Sequence, residues 1–379
     1  MRRVYLDHNA TTPLAPEVVD ACSEALREFG NPSSLHWFGQ TARAAIDDAR
    51  GQVAALIGAT PQEVVFTSSG TEADNLALRG VALGARPGRR KIVYASIEHH
   101  AVLHTARALA EEGWPVESAR ALPDGRVDLD DLEAKVDGET ALVAVMLANN
   151  ETGVVQPLDA VVALARRHGA MVFCDAVQGA GKLPLDVSGL GVDLLALSAH
   201  KIYGPKGVGA LYVKRGTRMK ALLRGGSQEK GRRAGTENVP GIVGFGRAAS
   251  RARSGLGEEA ARVGALRDRL ETRLLGIPGT ERNGDPPRVA NTTNVSFGGA
   301  DAESLLMALD LMGVAVSTGA ACAAGAVEPS HVLRAMRLPP RRVQASIRFS
   351  LGRGTTAEEV DLAVEAVATA LERQRALAR

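Results

Sequence analysis

Lysine is scarce in this sequence: eight of the 45 basic residues, so arginine covers the surface and each lysine is worth locating. Only an amine can condense with a carbonyl cofactor as a Schiff base; a guanidinium cannot. Lys201 stands in LLALSAHKIYGPKGVGALYVK, residues 194–214. The apolar run reads as a buried strand ending at Ser198, with His200 and Lys201 just past its carboxyl end. Open α/β sheets bind ligands at that edge. Gly204, Pro205 and Gly207 then make a rigid turn into the next strand. Alone, such a lysine is an ordinary turn residue; its company argues for a cofactor lysine.

That company is specific in type and place. In MVFCDAVQGAGKLPLD, residues 171–186, a strand ends at Cys174 and Asp175 follows at the sheet edge. A carboxylate there can pair with a protonated ring nitrogen and keep the ring an electron sink. Gln178 could donate to a ring oxygen. A lone aspartate after a strand is more often a helix cap; Lys201 one strand later changes the balance. In EVVFTSSGTEADNLAL, residues 63–78, a strand runs through Ser-Ser-Gly-Thr into a helix. The amides and dipole of such a start favour a phosphate, so Gly70 and Thr71 are assigned to it, although many such turns merely cap. His99, in ASIEHHAVLHT, ends a strand where it could stack on the ring and handle a proton. His100 and His104 lie four apart on a helix, but no HExxH carboxylate accompanies them, and no metal site is assigned.

Two further segments concern substrate. Asn149 and Asn150, in LANNETGVVQPL, read blandly as a turn, or as an amide that meets the cofactor or a substrate carboxylate. Arg348, in the strand-like SIRFSLGR, could clamp an amino-acid carboxylate. Cys322 lies in VAVSTGAACAAGAVEPSHVLRAM among alanine and glycine, without apolar periodicity. That pattern predicts an exposed, reactive loop cysteine. Cys174 and Cys22 read instead as buried structural cysteines.

The elements that must position these residues follow from the apolar pattern. Candidate strands are 63–67, 91–95, 142–147, 171–174, 194–197 and 208–213, mostly apolar runs without alternation, as in strands buried on both faces. Helical stretches such as Leu158–His168 between them predict βαβ units and a mostly parallel sheet. Near residue 255 the texture changes. Val263, Leu266, Leu270 and Leu274 predict an amphipathic helix. Strand-like Thr293–Phe297, helix-like Glu303–Leu311, strand-like Ser346–Leu351 and a last helix complete a smaller α+β domain. The expected division is a large domain over 14–256 and a small one made of 1–13 plus 257–379, with the cysteine loop at about 317–330. The segment before Pro13 is expected to pack between them.

Bulk numbers exclude other classes. A chain of 379 residues with net charge +2 is not a nucleic-acid binder by bulk electrostatics. No apolar run suits a transmembrane helix and no signal peptide is read, so a cytoplasmic protein is expected. Three dispersed cysteines form no disulfide framework.

Together these segments resemble the cysteine desulfurases of the NifS/IscS type, class V aminotransferase-like enzymes of fold-type I that use pyridoxal 5'-phosphate (PLP). The resemblance runs from YLDHNATTP to SIRFSLGR. It implies an α/β fold with a mostly parallel seven-stranded sheet. Lys201 would carry the cofactor, Asp175 face its ring nitrogen, Gln178 its ring oxygen and His99 its ring. Gly70, Thr71, Ser198 and His200 would hold the phosphate. Thr236, in RRAGTEN, would reach the phosphate of a neighbouring subunit, which implies a homodimer. Asn150 and Arg348 would meet cofactor and substrate carboxylate. The implied reaction takes sulfur from L-cysteine onto Cys322 as a persulfide and releases L-alanine. The sulfur would pass to an acceptor or iron–sulfur scaffold protein, whose cluster Cys322 would contact transiently. The residue after Cys322 is alanine where the family often has threonine or serine. The chain ends at Arg379, more like NifS than the longer-tailed IscS. The rival readings are a selenocysteine lyase or another class V enzyme, in which Cys322 would be dispensable, and a catalytically silent scaffold, which would have lost Lys201, Asp175 or Cys322.

Overall fold

Strands buried on both faces need no polar alternation, and the central strands here have none. The computed structural model describes residues 3–319 and 329–376, and the backbone alone of 322–323, 326–327 and 377. After a short β1 (Val4–Tyr5), seven strands build one sheet: β2 (Val64–Thr67), β3 (Lys91–Ala95), β4 (Val116–Ala119), β5 (Thr140–Ala144), β6 (Met171–Asp175), β7 (Leu194–Ser198) and β8 (Gly209–Val213). Their order is β2-β8-β7-β6-β5-β3-β4. Only β8 runs antiparallel to its neighbours; β7, β6, β5, β3 and β4 are parallel. Every residue of β2, β5, β7 and β8 is buried. Helices cover both faces, and two apolar clusters form, one on each side of the sheet.

Two differences from the sequence pattern have physical causes. The expected strand 142–147 ends at Ala144. Val145 and Leu147 still donate to Phe173 and Asp175 carbonyls at 3.0 and 2.8 Å, but the chain is already leaving the sheet toward Asn149. The edge strand β4 was not expected. Its sequence VESA is only half-buried and lacks an apolar run, so pairing to β3 alone reveals it.

A second core surrounds an antiparallel sheet of β9 (Thr280–Arg282), β10 (Thr292–Phe297) and β14 (Ser346–Ser350), in the order β14-β10-β9. Between β10 and β14 lie β11 (Val314–Ala315), β12 (Cys322–Ala323) and β13 (Ala326–Val327). The helix Leu256–Leu275 buries Val263, Leu270 and Leu274 against this sheet, as their spacing predicts. The stretch expected as a loop carries a short ladder, Cys322 opposite Val327. The Cys322 side chain lies outside the described residues. Cys174 is buried as expected, but Cys22 is only half-buried, its Sγ 3.4 Å from the Pro240 carbonyl.

The amino-terminal segment links the two cores. β1 pairs in parallel with β11, and Asp7 bridges to Ser350 of β14. Five residues on, Thr12 donates to the His200 carbonyl at 3.0 Å, beside Lys201.

A buried ion pair fixes the remaining wall. Arg50 makes two 2.7 Å bonds to Glu229, whose Oε2 also accepts from the Phe66 amide at 2.8 Å. Glu229 and Lys230 both have left-handed backbone, φ 47° and 58°, so the pair holds a strained turn against β2. Glu229→Ala should cost about 3–5 kcal/mol, because the Arg50 charge is left buried and unpaired. Urea unfolding measures this; a loss below about 1 kcal/mol would show the pair to be solvent-screened.

Candidate active site

Parallel strands deliver their following turns to one edge, and here those turns close on one cleft of about 370 Å³. The turn after β2 brings Gly70 and Thr71, the turn after β3 His99, and the chain beyond β5 Asn150. The end of β6 brings Asp175 and Gln178, and that of β7 brings Ser198, His200 and Lys201. Arg348 enters from β14 of the other core. All ten line the same cleft. Thr236 does not; it is exposed on the loop before the helix Val239–Ser254.

Lys201 sits in the 3-10 turn Ala199–Lys201, and its Nζ donates to the Asn9 and Ala10 carbonyls at 2.5 and 2.7 Å. Burial, with Arg348 nearby, lowers its pKa to about 8. Such an amine is far more often neutral near pH 7 than an exposed lysine. Asp175 accepts from the Val177 amide at 2.9 Å, and burial raises its pKa to about 6. A cation placed against it would restore the carboxylate. His99 is open to the cleft, yet protein around it and the charge of Lys201 lower its pKa to about 4, so the ring is neutral at pH 7.

The phosphate end is equally defined. The helix Gly70–Gly84 starts at the cleft, capped by Ser69, which accepts from the Glu72 amide at 3.1 Å. A Cβ on Gly70 would lie 2.9 Å from Val177 Cγ2 and 3.3 Å from Ser198 Cβ, so only glycine fits. Ser198 Oγ is buried with no hydrogen-bond partner among the described residues. His200, lowered to about pKa 4 by burial, touches Thr11 Oγ1 at 3.1 Å. Glu72 ties the loop of Thr236 to this turn by accepting from Arg233 at 2.9 Å and from the Ser68 amide at 2.7 Å.

Arg348 is aimed by three contacts. Its Nη2 donates to Asp7 at 2.6 Å and its Nη1 to the Asn150 carbonyl at 3.0 Å, while its backbone pairs with Ser317. The Nε is buried without a partner among the described residues. Asn150 Oδ1 is likewise unpartnered, whereas Asn149 is structural, donating to the Ile97 carbonyl and accepting from the Glu151 amide.

Several residues at the site carry no sequence signal of their own. Asp74, one turn into the phosphate helix, is buried beside Asp175, and burial raises its pKa well above the carboxylate range. Glu98 behaves the same way. Asp74, His99 and Asp175 bring one ligand atom each within 4.8 Å of the others. Two of them are carboxyls that burial drives toward the neutral acid, which does not suit a cation site. Lys182, half-buried and held well below the usual lysine pKa, donates to Gln178 Oε1 at 2.5 Å and fixes that amide. The void behind Lys201, lined by His8, Lys182 and Tyr203 among others, is about 40 Å³, room for water and not for a cofactor.

The aminotransferase class-V family profile matches residues 4–363, and the chain belongs to that family. The cysteine desulfurase of Trichormus azollae is 49% identical over 380 residues, 100% of this chain and 95% of that one. A solved NifS-like protein superposes with a TM-score of 0.93 at 38% identity, covering 98% of this chain and all of that one. A structure of SspA in complex with cysteine gives 0.82 at 33% identity, over 92% of this chain and 98% of that one. Within the family the chain is therefore of the NifS-like cysteine desulfurase type. The family depends on pyridoxal 5'-phosphate, and the residues present fit it: an acid at one end of the cleft, a glycine-floored helix start and an orphan hydroxyl at the other, and a perturbed amine.

If Ser198 Oγ serves the phosphate, Ser198→Ala should weaken PLP binding roughly tenfold, the worth of one hydrogen bond to a charged group. Titration of apoprotein by cofactor absorbance measures this, and an unchanged affinity would remove Ser198 from the phosphate site.

Proposed function

We propose that this protein is a PLP-dependent cysteine desulfurase whose Cys322 thiol takes the sulfur of L-cysteine, leaving a Cys322 persulfide and L-alanine. One observation carries the reading. Ser317 and Gly319 before Cys322, and His331 after it, line the same cleft as Lys201, Asp175 and Arg348. The chain enters and leaves the cofactor site on either side of that cysteine.

PLP bound through Lys201 supplies an electron sink for charge developing at the substrate Cα. Asp175 would hold the ring nitrogen protonated, its carboxylate favoured once a cation faces it. Gln178, oriented by Lys182, would serve the ring oxygen, and neutral His99 would meet the ring. Gly70, Thr71, Ser198 and His200 hold the phosphate. Arg348, with its unpartnered Nε and a guanidinium already steered by Asp7, binds the substrate carboxylate with the Asn150 amide.

With its pKa near 8, Lys201 Nζ can take the Cα proton of cysteine and return it. Cys322 Sγ, as the thiolate, attacks the substrate sulfur. A sulfur–sulfur bond forms, the carbon–sulfur bond breaks, and its electron pair remains on Cβ, which takes up a proton to become the methyl of alanine.

The residues divide into a large cofactor domain, 14–256, and a small domain, 1–13 plus 257–379. Thr236 is exposed on a loop anchored to the phosphate turn, a place from which it reaches a second copy. The exposed Phe29, Leu35 and Trp37, 79%, 90% and 68% accessible, add apolar surface suited to burial in a homodimer. Sulfur then passes to an acceptor or iron–sulfur scaffold protein. No helix among the described residues is long and apolar enough to cross a membrane, and we place the enzyme in the cytoplasm.

Wild-type protein with L-cysteine and a reductant should yield sulfide and alanine in equal amounts, and Cys322→Ala neither, with its cofactor absorbance intact. Turnover surviving in that variant would point to a lyase or transaminase. Arg348→Lys should raise KM for cysteine about tenfold or more through loss of bidentate geometry; an unchanged KM would place the carboxylate elsewhere.

A further inference from the structure

Glu151 has no part in the roles assigned above, yet it lines the cleft. It is only 1% exposed and follows Asn150 directly. Its carboxyl meets both stems of the segment that carries Cys322. On the far side, Ser330 Oγ donates to Glu151 Oε2 at 2.5 Å. The same hydroxyl accepts from the Leu333 amide at 3.0 Å and so caps the helix His331–Ala335. On the near side, Gly319 has φ +83° and packs so closely that a Cβ would lie 2.9 Å from Glu151 Oε2. Glu151 is itself anchored, its amide donating to Asn149 Oδ1 at 2.9 Å and its carbonyl accepting from Asn294 at 3.3 Å.

We propose that Glu151 is a positioning residue that ties both stems of the Cys322 segment to the cofactor cleft, and that the tie tightens when its carboxyl ionises. Burial pushes this carboxyl up to about 7, against the pull of Ser330 and Arg348, so it titrates near neutral pH. Once ionised, it accepts a charge-assisted bond from Ser330 and attracts Arg348 from β14. Across the cleft the titratable groups are Asp74, His99, His100, Asp175, His200, Lys201 and His331, with the Arg348 guanidinium beside them. Only the identity of the nucleophile rests on the desulfurase reading; the tie itself does not need it.

The test uses holoenzyme: wild type, Glu151→Gln and Ser330→Ala. The readouts are iodoacetamide labelling of Cys322, located by peptide mass, single-turnover formation of the Cys322 persulfide, and cofactor absorbance, each across neutral pH. In wild type, both rates should show an inflection near pH 7, distinct from that of the thiol at about 8.5. Glu151→Gln should remove that inflection and slow persulfide formation about tenfold, the worth of one hydrogen bond to a charged group, with cofactor absorbance unchanged. Ser330→Ala should reproduce the slowing.

An inflection that persists in Glu151→Gln overturns the proposal, as does slowing that comes only with loss of cofactor. If Glu151→Gln does not fold, Ser330→Ala decides, and a wild-type profile there overturns the tie. If wild type forms no persulfide, the desulfurase reading fails on its own. The labelling profile of Cys322 then still supports or overturns the role of Glu151.

Discussion

Asn9 is bonded through every one of its polar atoms, and the active site depends on that arrangement. Its carbonyl accepts from Lys201 at 2.5 Å and from Gln178 at 3.0 Å. Its Oδ1 accepts from Lys182 and Asn291, and its Nδ2 donates to Thr292 and to the Asn150 carbonyl. Its amide donates to Ser350 Oγ at 2.9 Å. One residue thus joins β10, β14 and the ends of β6 and β7. Because it is almost fully buried, losing any of these partners would leave a polar atom dry. Lys201 is held not only by its own turn but by the amino-terminal segment, which is pinned to the second core by β1 and Asp7.

Charge balance around that hub sets the chemistry. Three buried carboxyls, Asp74, Glu98 and Asp175, share the region with the amines of Lys182 and Lys201 and with Arg348. Burial disfavours every charged form, so the acids shift up and the amines down. A planar, doubly functional cofactor suits such a place. Its ring nitrogen would give Asp175 a reason to ionise, and its phosphate would meet the helix start and the Ser198 hydroxyl.

Legibility in the sequence followed physical locality. Lys201, Asp175, Gly70 and His99 were readable because each directly follows an apolar strand, and a parallel sheet sends all such turns to one edge. Arg348 was readable as a strand residue of the right type. Thr236 came only from family likeness, and its exposed position suits a contact beyond this chain. Lys182 and Glu151 lay within quoted motifs without suggesting a role, because neither follows a strand end or shows a periodicity. Asp74 was hidden in an ordinary helical first turn, and β4 in a half-polar tetrapeptide.

By itself, then, the sequence determined most of the central apolar strands, the turn chemistry and the types of reactive group, since these depend on local propensity, burial pattern and spacing. It also marked Cys322 as the cysteine without a core to bury it. Only the tertiary structure decided which distant groups share one cleft. Asn9 meets Lys201, Lys182 meets Gln178, and Glu151 meets both stems of the cysteine segment. Those pairings join residues up to about two hundred positions apart in sequence, or close in sequence but turned inward together. Burial sets the pKa values, and burial belongs to the packed whole, not to any stretch of chain.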